Sequence, residues 1–232
     1  MRPVCDLSDR AQSGEQTRMD RRVGLWSAAS AATMGLVYVF VGLLGVVARP
    51  PGPDPLRLVD PYLAILEILI ILSAVALIMM MAAVHACAAP ECKTLAMASL
   101  SFIISFAVLT CSVHFASLTV GRKIDPTVSP LLAHELSFEK WPTMALSLDL
   151  LAWDFFLGMG LVCAAPAIQG KGPAGRVRVS MIVSGVLCLV GFFGPVLGRM
   201  EIQFLGIAGY AFALPVACFL LAKHFSPHDE MV

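Results

Sequence analysis

The chain has 232 residues, of which 58% are hydrophobic and 14% charged, against roughly 45–50% and about 25% in an ordinary soluble domain. That excess, gathered into several apolar runs of about 20 residues, excludes a single soluble domain and points to an all-α polytopic membrane helix bundle. With 16 basic and 16 acidic side chains, no basic excess suggests nucleic acid and no acidic excess a solvating tail.

Residues 1–23 mix five arginines with Asp, Glu, Ser and Gln; too little apolar surface is present to order them, and they read as a disordered cytoplasmic tail. The apolar run over 24–48 is too long for a signal-peptide core and reads as a retained first span. Arg49-Pro-Pro-Gly-Pro-Asp-Pro breaks the helix by fixing φ and removing donors. A second span follows over 61–84, a third over 94–120, and then a loop over 121–142. The fourth span covers 143–168, the fifth 180–197 and the sixth 203–222, with a six-helix domain over 24–224 and a polar C-terminal tail over 225–232.

Ten of the lysines and arginines fall on the side of the two termini and six on the other. The positive-inside rule then puts both termini in the cytoplasm of a cell (plasma or inner) membrane. In the loop over 121–142, Leu132, Leu136 and Phe138 recur near helical spacing opposite His134, Glu135, Glu139 and Lys140. They predict a short helix in the outer interface, anchored by Trp141.

Ionisable side chains inside spans cost about 2.5–3.5 kcal/mol each on insertion scales, so each needs a partner or a cavity. They are Glu67 in the second span, His114 in the third, and Asp149 and Asp154 in the fourth. At about 1.5 Å per residue, Glu67, His114 and Asp149 all lie roughly 9 Å below the outer boundary. Tyr210 in the sixth span and Tyr38 in the first add hydroxyls near that level.

Thr110, Cys111, His114 and Ser117 share one face of the third span, while Ser101, Ser105 and Ser112 share another, which favours a central position for that helix. Asp149 has Trp153 one turn along on its own face, and Asp154 is rotated away by about 140°. A mid-span carboxyl such as Asp154 is either a proton-relay group or a structural acid bonded to a neighbour.

A Glu/His/Asp trio also suits a divalent metal, but no spaced motif such as H-E-x-x-H accompanies it. Only His85 and His224 share a level, close to the surface, which disfavours haem, and the run Met79-Met80-Met81 faces three directions and reads as packing. The seven scattered cysteines form no disulfide framework. No cofactor is assigned. Glycines in the fifth span, Gly191, Gly194 and Gly198, permit close helix approach and suggest a homo- or hetero-oligomer.

Three function classes fit. The first is a transporter-like or sensing protein that binds a small polar solute, ion or proton through Glu67, His114, Asp149, Asp154 and Tyr210. The others are an accessory subunit, in which these groups fix packing, and a membrane enzyme using the same cluster.

Overall fold

The protein is a bundle of helices with six long and apolar enough to cross a membrane. The structure, a computed structural model, describes residues 7–48, 59–138 and 141–226. The spanning helices are α1 (Leu7–Ala48), α2 (Tyr62–Cys87), α3 (Lys93–Thr119), α5 (Met144–Ala167), α6 (Pro173–Val196) and α7 (Met200–Phe225), and a short α4 (Pro130–Glu135) sits in the loop before α5. No strand occurs among the described residues.

Each spanning helix packs on its neighbours in sequence, and α7 returns to pack on α1, so the six close into a ring. Large apolar side chains such as Phe40, Val108, Phe115 and Phe219 face outward, as lipid contact requires. Inside the ring, towards the end that carries the termini, Met81, Ile103, Leu161, Met181 and Leu221 are fully enclosed. Small residues bring the helices to that distance. A Cβ on Gly24 would meet the Phe225 ring, one on Gly35 would lie 2.8 Å from Pro215 Cγ, and one on Gly185 would lie 2.7 Å from the Gly158 carbonyl oxygen.

Residues 7–23, expected as a disordered tail, are helical and continuous with the first span. The stretch has no proline and contains four arginines and two glutamines, good helix formers that extend an existing helix without a new nucleation step. At 42 residues, α1 is roughly 63 Å long, about twice a hydrocarbon core. Its polar N-terminal part projects beyond the bundle, and Arg21 donates to the His224 carbonyl at 3.2 Å, occupying an acceptor at the C-terminal end of α7. Residues 1–6 of the expected tail, most of the first loop and residues 227–232 lie outside the described residues.

The fifth helix starts at Pro173 rather than at 180. Proline at a first helical position loses no hydrogen bond and has its φ preset, so Arg176 and Arg178 belong to the helix and not to the loop. Its glycines are engaged within the chain: a Cβ on Gly191 would lie 2.5 Å from Gly206 Cα, and one on Gly194 2.8 Å from the Gln203 nitrogen. Gly198 takes φ 64° in the turn into α7, a conformation open to glycine.

The helix expected beneath the outer interface is present but shorter than its sequence pattern. Leu131 and Leu132 are exposed on α4, whereas Phe138 lies past its end and turns inward. Glu139 and Lys140 are outside the described residues. The third span sits in the ring between α2 and α5 rather than at its centre. The hydroxyls of Ser101, Ser105 and Ser112, read above as a second inward face, instead donate to the carbonyls of Met97, Ser101 and Val108 one turn back. Satisfied this way, a serine can face lipid.

Candidate functional site

A cavity of ≈ 280 Å³ opens inside the ring towards the end that carries α4. Five of the spanning helices reach it: Tyr38 comes from α1, Glu67 from α2, His114 from α3, Asp149 and Trp153 from α5, and Tyr210 from α7. The convergence expected from matched depths is therefore present for Tyr38, Glu67, His114, Asp149 and Tyr210. Phe138, from the strap between α4 and α5, supplies part of the wall.

The polar side of α3 organises the acids. Thr110 donates its hydroxyl to Asp149 Oδ1 at 2.9 Å, and Trp153 donates its indole N–H to the same oxygen at 3.1 Å. His114 Nε2 lies 3.3 Å from that oxygen as well. One turn further along α3, Ser117 donates to Glu67 Oε1 at 2.5 Å. The i, i+3, i+4 spacing read from the sequence thus places three donors of one helix against acids on its two neighbours in the ring.

Two residues of the cavity wall keep buried atoms without a hydrogen-bond partner. Glu67 is 2% exposed and His114 5%, yet Glu67 Oε2 and His114 Nδ1 have no hydrogen-bond partner. Both residues line the cavity. Buried polar atoms are nearly always paired, so these two residues stand out on the cavity wall.

Aromatic rings frame them. Trp153 meets Tyr210 at 5.1 Å between ring centres and Phe106 edge-on at 4.8 Å, and Phe138 stacks on His114 at 4.9 Å with the planes 6° apart. The strap that presents Phe138 is fixed at both ends. Thr143 donates to the Ser137 carbonyl at 2.7 Å, and Glu135 accepts from the Met144 amide at 2.9 Å. Arg122, beside the strap, is paired with Asp60 at 2.8 Å.

Two turns of π-helix shape the walls. One spans Leu151–Phe156 in α5 and carries Trp153 and Asp154; the other spans Ala208–Ala213 in α7 and carries Tyr210. Widened turns of this kind are rare and concentrate at functional sites. In α7 the cause is local: Pro215 brings no N–H to the carbonyl four residues earlier, and the turn before it widens. No comparable sequence signal marks the π-turn of α5.

Asp154 does not join the cavity. It is fully buried on the other side of α5, where Gly191 and Gly206 leave room for its carboxyl. The buried Gln203 lies near it and beside Tyr210, although the carboxyl oxygens of Asp154 and the amide atoms of Gln203 make no hydrogen bond. Gln203 was read only as the start of the sixth span. An amide one turn before Gly206, after a very short break, was the available signal. The sequence pattern also puts Trp153 beside Asp149, but it puts Phe138 on the apolar face of the interfacial helix and not in the cavity wall, because its inward turn depends on where α4 stops.

Among the described residues, no group of three or more His, Cys, Asp or Glu side chains is arranged to hold a metal ion. His114 and Asp149 meet, while Glu67 is engaged separately through Ser117. No protein-family model, curated protein or solved structure matches the chain, so the geometry alone carries the functional reading.

Proposed function

We propose that this multi-pass membrane protein binds a small solute in the cavity among α1, α2, α3, α5 and α7, as a transporter or sensor of that solute. The observation that carries the reading is the pair of unpartnered, buried atoms, Glu67 Oε2 and His114 Nδ1, on residues that line the cavity. A purely structural role for these groups would leave them satisfied by neighbouring helices, as buried polar groups ordinarily are. With both termini cytoplasmic by the charge rule, the cavity faces outward in a cell membrane, under the α4 strap.

Access to the cavity tests the reading. In full-length protein in lipid nanodiscs, Ser73→Cys puts a thiol on the cavity wall, and Ser99→Cys puts one in the fully buried core. Methyl methanethiosulfonate, a small neutral reagent, should modify residue 73 and spare residue 99, read for each position by peptide mass spectrometry. If residue 73 proves as inert as residue 99, the cavity is not open to solutes and the reading fails.

A further inference from the structure

We infer that the solute is a small organic cation with an apolar body, a protonated or quaternary amine whose charge is met by Glu67. This rests on the solute-binding reading above and specifies it. Four features of the cavity lead to it.

The first is the sign of its charge. The wall contains two carboxylates, Glu67 and Asp149, and neither lysine nor arginine. Of the cations in the neighbouring loop, Arg122 is held by Asp60, and neither it nor Lys123 lines the cavity. An anion entering this space would meet two acids and no fixed positive partner, which is strongly unfavourable away from water.

The second is the division of labour between the two acids. Asp149 Oδ1 already has Thr110 and Trp153 as donors and His114 beside it. Glu67 is satisfied at Oε1 alone, by Ser117, and its Oε2 has no donor. Of the two acids, Glu67 is the one with a buried oxygen that lacks a donor, and that acceptor lies on α2. A ligand that offers N–H, or a bare positive charge, complements it.

The third is the wall itself. Tyr38, Phe138, Trp153 and Tyr210 surround the acids, and aromatic faces attract a cation more strongly when water is excluded. A sugar or other polyol would need many polar partners, and this wall, where Leu63, Leu66, Ile70, Leu77, Leu146 and Leu214 fill the remaining surface, offers few.

The fourth is size. A volume of ≈ 280 Å³ exceeds what a proton or a single water requires and falls near the lower end of small-molecule sites. A bare metal ion would need several hard ligands around one point, and no such group occurs among the described residues. A charged head on a compact apolar body fits all four features.

Three probes of nearly equal size and different charge decide the matter: benzylammonium, benzyl alcohol and benzoate. Each is tested for protection of Ser73→Cys against the neutral thiol reagent, in full-length protein in nanodiscs. Benzylammonium should protect, and benzoate should not. Adding Glu67→Gln should raise the benzylammonium concentration needed for half-protection about tenfold or more, as loss of a charge-assisted contact implies. The benzyl alcohol value should stay unchanged.

The inference is overturned if benzyl alcohol or benzoate protects at the same or lower concentration than benzylammonium, or if Glu67→Gln leaves protection by benzylammonium intact. It is also overturned if none of the three protects although the thiol is labelled. Failure of the neutral reagent to label residue 73 at all is a different result and removes the solute cavity itself. A folding defect in Glu67→Gln is recognised from the same samples, because the buried native thiols of Cys188 and Cys218 would then become reactive.

Discussion

At the end of the ring that carries the termini, polar groups find backbone carbonyls: Ser27 donates to Val23, Ser99 to Gly160, and Lys93 to the last carbonyls of α2 at His85 and Ala86. At the α4 end, Glu67 and His114 keep atoms without partners beside an open volume. Both ends lie in the same helices and face the same cost of burying polar atoms. The first end contains the side chains that offset this cost, and the second does not. Packing therefore accounts for the closed end of the ring, whereas the α4 end keeps buried atoms that packing leaves unpaired.

The sharpest way to break this contrast is to add volume at both ends. Gly185 sits where a Cβ already lies 2.7 Å from the Gly158 carbonyl oxygen and 2.8 Å from Val162 Cγ2. Gly185→Leu should drive α5 and α6 apart and destabilise the protein by about 3 kcal/mol or more. Ala211 lines the cavity, and Ala211→Leu should fill it at little or no cost to thermal stability while lowering protection of the residue 73 thiol by benzylammonium. Thermal unfolding of both variants in one detergent measures this. Comparable losses of stability would show that the α4 end is as tightly packed as the other.

Removing polar groups gives smaller effects of opposite sign. Ser99→Ala deletes the 2.7 Å hydrogen bond to Gly160 and should destabilise by about 0.6 kcal/mol, the average for such contacts between membrane helices. Glu67→Gln removes an acid that lacks its full set of partners. It should raise the stability of the solute-free protein by up to about 2.5 kcal/mol, the lower figure for an acidic side chain within a span. Gains of this kind at the expense of function are typical of binding sites. A clear loss of stability in Glu67→Gln would instead assign the residue to packing.

The sequence already contained the six spans, because each apolar run exceeds the length that lipid requires, and it contained the shared level of Glu67, His114 and Asp149, because depth follows from counting residues. It also contained the i, i+4 pairing of Asp149 with Trp153, which the structure shows as a hydrogen bond. What it did not contain was closure of the ring. That depends on α1 and α7 meeting through Gly24, Gly35, Pro215 and Phe225, residues far apart in sequence, and the small size of the two glycines is ambiguous on its own. The separation of Asp154 from the cavity was partly legible from its rotation about the helix axis. Its neighbours Gly191, Gly206 and Gln203 come from other helices, which no local pattern specifies. The serines of α3 misled for a plain reason: a hydroxyl bonded one turn back looks the same in sequence as one bonded across the bundle.

The smallest expected effect concerns the strap that forms the cavity's outer wall. Before α4, Asp125 Oδ1 accepts from the Thr127 hydroxyl at 2.7 Å and from the Thr127 amide at 2.8 Å, the Asx geometry that favours a turn. The Thr127 hydroxyl first, and then its amide, hold the Asp125 carboxyl below the usual carboxylate range. A carboxyl with a lowered folded-state pKa supports the turn fully above its unfolded value, and that support is lost as pH falls through the lowered one. Protection of the Thr127 amide from hydrogen exchange, relative to its intrinsic rate, should therefore be constant from neutral pH down to the ordinary carboxylate range and decline below it. In Asp125→Ala, protection should be low throughout, with no such decline. Because Asp125 is fully exposed, the effect should stay local and leave the unfolding temperature unchanged. Equal pH dependence in the two proteins would show that the turn before α4 is held by its backbone bonds from Val128 and Ser129 to the Asp125 carbonyl and not by the Asp125 side chain.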